Sequence, residues 1–249
     1  MVENPSDSEW TQETAELPGP IGETPGFDSL GAEFQRRLPQ IRAFGPYRIS
    51  SVLGKGGMGA VFEVEHAQLG ARYALKTILG SSTSPGYARQ LERFRREVEL
   101  SARLCHPGIV SVHSADLEGE IPYLVVDLIR GGTLGDRLEE RGRIPVAEAV
   151  PLALGLAHAL AHAHERGVLH RDLKPDNVMF DELGAPRLVD FGLALELDRE
   201  TRLTQSGTAV GTPMTMAPEQ LRGERGETSA CDVYGLAATV YWALAGAPP

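Results

Sequence analysis

The sequence contains little cysteine, with only Cys105 and Cys231 among its 249 residues. These two cysteines lie far apart and match no zinc-binding or redox spacing, which argues against a fold held together by metal or disulfide. We therefore expect free thiols in a reducing compartment. Hydrophobic residues make up 42% of the chain, an ordinary share for a soluble globular protein with a sizeable core.

Positive charge and long apolar runs are also scarce. Lysine and arginine total 24 against 34 aspartates and glutamates, which gives a formal net charge of -10. Nucleic acid is disfavoured as the main partner, because such binding needs a basic face. No stretch of about eighteen apolar residues occurs, and the first residues lack the basic and apolar parts of a secretory signal. We expect a cytoplasmic segment, and a membrane span in a longer parent chain stays open.

The composition of the chain changes near residue 43. Residues 1–43 are acidic and rich in proline, glycine, serine and threonine, which predicts a disordered leader. From Phe44 onward, alternating apolar residues predict strands, and a helix at 87–104 interrupts them before a His-Pro pair. The predicted strands are 47–53, 61–64, 73–78, 109–113 and 123–128.

Helices dominate the sequence after Leu134. Apolar spacing predicts a long, largely buried helix at 146–166, ended by Gly167, and another at 229–245, ended by Gly246. Strands therefore come first and helices second, and no internal repeat stands out.

A glycine-rich run, LGKGGMGAVFEV, places Gly54, Gly56 and Gly59 in a GxGxxG pattern. The pattern alone is weak evidence, since dinucleotide-binding folds use the same spacing. Those loops open a helix and precede an acidic residue, whereas here residues 60–64 alternate as a strand and Lys76 follows. A β-hairpin whose backbone amides close over nucleotide phosphates is therefore favoured.

The most informative segment is HRDLKPDNVMF at 170–180, followed by a DFG triplet that begins at Asp190. Together they supply a base, a cation and two candidate metal ligands, at the spacing used for phosphoryl transfer. These four residues are Asp172, Lys174, Asn177 and Asp190. Each could instead cap or solvate a loop, but four such residues in register outweigh that reading.

These motifs and their order resemble those of serine/threonine protein kinases, and the residues within the motifs look most like those of the bacterial, eukaryotic-like (Hanks-type) members. The resemblance covers residues 44–249 and implies an α+β, two-lobed protein kinase-like fold, with a small strand-rich N-lobe and a larger helical C-lobe. The family also has further C-terminal helices and an arginine that pairs with Glu219, but no arginine follows Arg225 here. We therefore expect a fragment of a longer kinase, with a truncated C-lobe, that is aggregation-prone and weakly active.

The resemblance implies an ATP site between the lobes. Lys76 would contact the α- and β-phosphates and pair with Glu97 rather than Glu99, although a solvated strand lysine is the commoner fate of lysines in general. Val126 matches the gatekeeper position, and residues 127–129 match the hinge. The implied nucleotide-binding residues are Leu53, Gly54, Gly56, Gly59, Val61, Ala74, Lys76, Val126, Asp127 and Ile129.

The resemblance also gives the catalytic residues their roles. Asp172 would be the catalytic base, and Lys174 would contact the γ-phosphate, which suits Ser/Thr rather than tyrosine substrates. Asn177 and Asp190 would hold Mg²⁺ through hard oxygen ligands.

Regulation by phosphorylation is implied by Arg171, which directly precedes the base and could bind an activation-loop phosphate through its guanidinium group. The candidate phosphorylation sites are Thr204, Ser206 and Thr208. A homodimer is one implied route to this autophosphorylation. Thr215 departs from the family pattern, because the site is usually aromatic, and this departure bears on substrate preference.

Other polar residues have structural interpretations. His158, His162 and His164 follow helical spacing, but no further ligand accompanies them, so a packing or surface role is favoured over metal binding. Asp232 resembles the family aspartate that anchors the catalytic loop, and His170 resembles a core element of that loop.

The implied substrates are proteins with Ser/Thr acceptors, with ATP as phosphate donor. One alternative is a nucleotide-binding pseudokinase that acts as a scaffold, but such proteins usually lack the lysine or one of the two aspartates, and all three are present here. A small-molecule kinase is disfavoured by the APE segment at 217–219.

Overall fold

The strand-rich half of the chain forms one antiparallel sheet. The computed structural model describes residues 41, 43–55, 59–78, 86–119, 121–191, 213–223 and 228–249, so the predicted leader lies almost wholly outside the described residues. The strands are β1 (Ala43–Phe44), β2 (Tyr47–Lys55), β3 (Gly59–His66), β4 (Arg72–Ile78), β5 (Val112–Asp116) and β6 (Tyr123–Asp127). Their order in the sheet is β1-β2-β3-β4-β6-β5.

Alternation along β3 explains why this sheet has two different faces. Ala60, Phe62 and Val64 are fully buried and pack into an aromatic-rich core on one face. Val61 and Glu63, at the intervening positions, point to the other face, because successive strand side chains alternate. That second face carries the cleft described below.

One helix, α1 (Tyr87–Ser101), packs against the sheet. Phe94 and Val98 are buried and contact a small cluster that includes Ile78 and Leu124. The helix ends three residues before the predicted boundary, since Ala102 already belongs to its C-terminal cap.

The strand predicted at 109–113 was placed too early. The observed β5 begins at Val112, whereas Ile109 bridges Leu188 and the Val110 amide donates to the Leu188 carbonyl at 3.0 Å. Ile109 is 2% exposed and belongs to the core of the helical half. Its apolar side chain therefore reflects contact between the two halves of the molecule rather than membership of the first sheet.

The helical half forms the second lobe. It contains α2 (Leu134–Arg141), α3 (Val146–Glu165), α4 (Pro218–Leu221), α5 (Ser229–Ala245) and a two-stranded sheet of β7 (Val178–Phe180) and β8 (Pro186–Leu188). Buried residues of α3, such as Leu156 and Ala159, form the core of this lobe together with Ala243 of α5. The predicted two-lobed α+β fold is confirmed.

Helix α3 is the one described helix that is long and apolar enough to cross a membrane by length and composition. Its apolar character has a simpler cause. Leu152, Leu156, Ala159 and Leu160 are all buried in the core of the helical lobe.

Candidate active site

The cleft face of the sheet carries the strand lysine. Lys76 on β4 lies opposite Val61 of β3 and opposite Leu124 of β6. Two residues earlier, Ala74 lies opposite Val126. Because residues two apart on a strand share a face, Ala74 and the predicted gatekeeper Val126 line the same surface as Lys76.

Lys76 joins the two lobes through ion pairs. Its Nζ atom lies 2.7 Å from Glu97 Oε1 on α1 and 2.8 Å from Asp190 Oδ1, which follows β8. Glu97 is 3% exposed, whereas Glu99 points to solvent, so the structure contains the predicted pair. Glu97 faces the sheet together with the buried Phe94 and Val98, which share its side of the helix.

The position of Lys76 between two carboxylates sets the electrostatics of the cluster. Burial alone would lower the pKa of Lys76, but Asp190 and Glu97 together raise it above its ordinary value, so the ammonium group stays protonated. Lys76 in turn lowers the pKa of Asp190. Burial raises the pKa of Glu97 to about 7. Lys76 opposes this rise but is shared with Asp190, and Glu97 Oε2 is buried without a hydrogen-bond partner among the described residues.

The catalytic loop brings three predicted residues together. Lys174 Nζ lies 3.0 Å from Asp172 Oδ2. Asn177 donates from Nδ2 to the Asp172 carbonyl at 2.7 Å and to Asp172 Oδ2 at 3.2 Å. The amide oxygen of Asn177 is therefore left as the acceptor end of the side chain.

Asp232 holds this loop from α5, as the resemblance implied. Its carboxylate accepts hydrogen bonds from the backbone amides of His170 at 2.9 Å and Arg171 at 2.7 Å. Arg171 has a φ of 67°, which is unfavourable for a residue with a side chain and needs outside support. His170 is fully buried and contacts the Val189 carbonyl through Nε2.

Two supports of the loop were missed by sequence reasoning. His164 on α3 lies 2.7 Å from the Asp232 carboxylate through its Nε2 atom. Gln220 on α4 accepts from the Ala217 amide and donates to the Arg171 carbonyl, both at 3.0 Å. The only sequence signal for Gln220 is its place directly after the APE segment, and a residue in that position carries no distinctive pattern.

The glycine run has two kinds of glycine. An added Cβ at Gly54 would meet nothing within 4 Å, whereas one at Gly59 would lie 1.7 Å from the Thr77 carbonyl oxygen. Gly59 is therefore required by packing of β3 on β4, independently of any phosphate. Gly56 lies outside the described residues, and Leu53 is 47% exposed.

The predicted hinge is tied to β5 and the segment before it. The Asp127 carboxylate accepts from the Ser111 amide at 3.0 Å and lies 2.6 Å from His113 Nε2. Burial would raise the pKa of Asp127, but the hydrogen bonds from His113 and Ser111 outweigh it and lower the pKa. Ile129 is half-buried.

Other predicted residues fall outside this geometry. The candidate phosphorylation sites Thr204, Ser206 and Thr208 lie outside the described residues. No cluster of three or more metal-binding side chains occurs among the residues that the structure describes. His162 instead packs against the ring of His106, with 5.1 Å between ring centroids.

A sheet lobe, a helical lobe and a lysine that pairs with a helix carboxylate and a DFG aspartate together define a protein kinase catalytic domain. The family described as "Protein kinase domain" matches residues 47–249. The chain belongs to this family, and within it to the bacterial Hanks-type serine/threonine kinases.

Three relatives indicate how far the likeness extends. The serine/threonine-protein kinase PknA of Mycobacterium tuberculosis is 37% identical over 211 residues, covering 82% of this chain and 48% of that protein. The DNA damage-responsive serine/threonine-protein kinase RqkA of Deinococcus radiodurans is 39% identical over 210 residues, covering 82% of this chain and 30% of that protein.

The third relative is a solved structure. The crystal structure of the M. tuberculosis PknI kinase domain is 32% identical, with a TM-score of 0.64, and the match covers 83% of this chain and 75% of that one. The chain thus spans less than half the length of the two curated relatives.

Proposed function

We propose that this chain transfers the γ-phosphoryl group of ATP to serine or threonine hydroxyls of proteins. The main observation in support of this function is that Lys76 Nζ lies within 2.8 Å of carboxylate oxygens of both Glu97 and Asp190. This arrangement joins the sheet, α1 and the DFG segment at one point, as phosphoryl transfer requires. ATP and Mg²⁺ are used generally in the family, so the donor follows from membership.

Asp172 is the proposed catalytic base. The acceptor oxygen forms a bond to the γ-phosphorus while the bond between that phosphorus and the β–γ bridging oxygen breaks, and ADP leaves. The hydroxyl proton passes to Asp172. Lys174, 3.0 Å from the Asp172 carboxylate, would offset negative charge on the transferred group.

The donor set fits Mg²⁺. Asn177 directs its Nδ2 atom to Asp172, which leaves its amide oxygen available, and the Asp190 side chain is 47% exposed to the cleft. Both are hard oxygen ligands, which Mg²⁺ prefers in small number beside phosphate oxygens. Mg²⁺, when bound, neutralises charge on the phosphate oxygens, and Asn177 and Asp190 would hold it.

The nucleotide would bind beneath the sheet. Val61 and Ala74 would cover the adenine, with Leu53, Gly54, Gly56 and Gly59 at the loop that closes over the phosphates. Their place on the face that carries Lys76 supports this assignment for Val61 and Ala74. Val126 would border the pocket behind the adenine. The backbone of Asp127 and Ile129 would form hydrogen bonds to the adenine.

A nucleotide-binding scaffold without catalysis is the rival function. It is not favoured, because Lys76, Asp172 and Asp190 are all retained and Lys76 and Asp190 are in contact. A radiolabel transfer assay with a generic basic protein tests the choice. We expect Lys76→Met and Asp172→Asn each to lower the transfer rate by roughly a hundredfold or more.

The two variants also distinguish a role in nucleotide binding from a role in phosphoryl transfer. Lys76→Met should weaken nucleotide binding, whereas Asp172→Asn should bind nucleotide and transfer little. Transfer by Asp172→Asn at the wild-type rate would refute the assignment of the base. Nucleotide binding by the wild type without any transfer would favour the scaffold.

The cellular setting is proposed from chemistry alone. Neither Cys105 nor Cys231 forms a disulfide in the part of the chain that the structure describes, and the reaction consumes ATP, which together support a cytoplasmic location. The substrates are Ser/Thr-containing proteins, and a homodimer is one route to phosphorylation of the chain's own loop.

A further inference from the structure

Glu63 is an almost buried carboxylate on the cleft face of the sheet. It is 8% exposed and lies opposite Ala74, which in turn lies opposite Val126. Glu63 therefore belongs to the row of residues at the proposed adenine edge of the cleft, two positions beyond Val61. A carboxylate in this place needs charged partners, because burying it alone is costly.

Two arginines supply that partnership from different parts of the molecule. Arg72 Nη1 lies 3.1 Å and Arg130 Nη2 lies 2.8 Å from the same oxygen, Glu63 Oε1. Arg72 is on the neighbouring strand β4, so its pair lies within one sheet. Arg130 follows the hinge, and its pair crosses from the sheet lobe to the segment that enters the helical lobe.

The backbone next to Arg130 is fixed to the helical lobe. The Gly131 amide donates to the Phe180 carbonyl at 2.8 Å, and the Phe180 amide donates to the Gly132 carbonyl at 3.0 Å. An added Cβ at Gly131 would lie 2.4 Å from the Phe180 oxygen, so this approach is close. The backbone next to Arg130 is therefore anchored to β7 and not to the sheet that carries Glu63.

We propose that Arg130 and Glu63 form a latch across the adenine edge of the cleft and act as positioning residues for nucleotide retention. Separation of the lobes at this edge lengthens the pair and leaves the buried Glu63 carboxylate with Arg72 as its arginine partner. The Arg130–Glu63 pair therefore stabilises the closed arrangement of the lobes. A nucleotide held beneath the sheet dissociates more slowly with the pair intact than without it. The latch rests on the proposed nucleotide site and extends it.

The test compares two arginines that contact one oxygen. Arg130→Gln breaks the pair between lobes, and Arg72→Gln breaks the pair within the sheet. We expect dissociation of a fluorescent ADP analogue, followed by stopped-flow, to be about fivefold faster in Arg130→Gln and to change by less than about twofold in Arg72→Gln. Arg130→Lys, which keeps the charge, should lie close to the wild type.

Steady-state kinetics give a second readout. Arg130→Gln should raise the KM for ATP without lowering kcat, because the catalytic loop is untouched, and thermal melting establishes that both variants fold. Equal acceleration in the two variants, or none in Arg130→Gln, would overturn the latch while leaving the kinase function intact. Absence of nucleotide binding by the wild type would overturn the proposed nucleotide site and the latch together.

Discussion

The Asp232 carboxylate accepts a hydrogen bond from the backbone N–H of Arg171 at 2.7 Å, although the two residues lie 61 positions apart. Arg171 has a positive φ of 67° and directly precedes the proposed base, Asp172. The aspartate on α5 therefore supports a backbone conformation that the loop would not favour alone. The geometry of the base depends on a helix that reaches it only through tertiary packing.

Replacement of Asp232 by Asn should impair both stability and transfer. The amide NH₂ of Asn cannot accept, so at least one of the His170 and Arg171 amides loses its partner, which costs about 1–3 kcal/mol. Transfer per folded molecule should fall at least about tenfold, since a small displacement of a catalytic group is costly. Radiolabel transfer and chemical unfolding measure the two effects.

Asp181 offers a matched control for this substitution. Its carboxylate also accepts from two backbone amides, those of Leu183 and Ala185, both through Oδ1, while Oδ2 accepts from the Arg187 guanidinium. Asp181→Asn keeps an oxygen for the two amides but loses the Arg187 contact at Oδ2, so it should lower stability slightly and leave the transfer rate of the folded protein near the wild-type value. A comparable loss of transfer in both variants would mean that Asp232 acts through general stability alone.

The pH dependence of the transfer rate should reflect the ionisation of Glu97. Its folded pKa, about 7, lies above its ordinary value of 4.5. As pH rises through about 7, Glu97 ionises and its pair with Lys76 strengthens, so transfer should rise by up to about tenfold between about pH 6 and about pH 8. Glu97→Gln should remove this rise in the transfer rate. Glu99→Gln, two residues further along the helix and exposed to solvent, should retain it.

The same group affects stability with the opposite sign. Between its ordinary and folded pKa values the folded chain holds a proton that the unfolded chain releases. The contribution of Glu97 to the free energy of unfolding is therefore largest below pH 4.5 and declines as pH rises through about 7. A wild-type melting temperature that lacks this decline, relative to Glu97→Gln, would contradict the raised pKa.

The two described glycines of the phosphate loop should respond differently to alanine. Gly59→Ala places a Cβ 1.7 Å from the Thr77 carbonyl and must displace β3 from β4, whereas Gly54→Ala meets nothing within 4 Å. We expect Gly59→Ala to lower the unfolding free energy by about 1–3 kcal/mol, as overpacking does. Gly54→Ala should leave thermal melting nearly unchanged. Equal melting temperatures in the two variants would contradict the packing role of Gly59.

Phosphorylation of the chain's own loop is a prediction from sequence. Incubation with ATP should add phosphate to at least one of Thr204, Ser206 and Thr208, each adding about -1.5 to -2 charges that Arg171 can bind. Mass spectrometry measures it. Phosphate found only within residues 1–43, with full activity in the triple alanine variant, would disprove this regulation.

Local motifs allowed much of the site to be predicted. The family resemblance implied the pair between Lys76 and Glu97, supported by the interval of nine residues from Glu97 to the His-Pro pair at 106–107, and the two side chains are in contact in the structure. The strand predicted near 109–113 begins three residues later, at Val112, because Ile109 instead contacts Leu188, in a segment nearly eighty residues later. Periodicity cannot distinguish burial in one core from burial in another.

The sequence by itself determined the family and predicted the chemistry, namely which residues would act as base, phosphate contact and metal ligand. Only the tertiary structure showed which further residues hold these groups in place. Arg130 is paired with Glu63 across 67 positions, and His164 with Asp232 across 68. These pairs have no local spacing rule, because side chains so far apart in sequence meet only through tertiary packing, which acts between the two lobes for the first pair and within the helical lobe for the second.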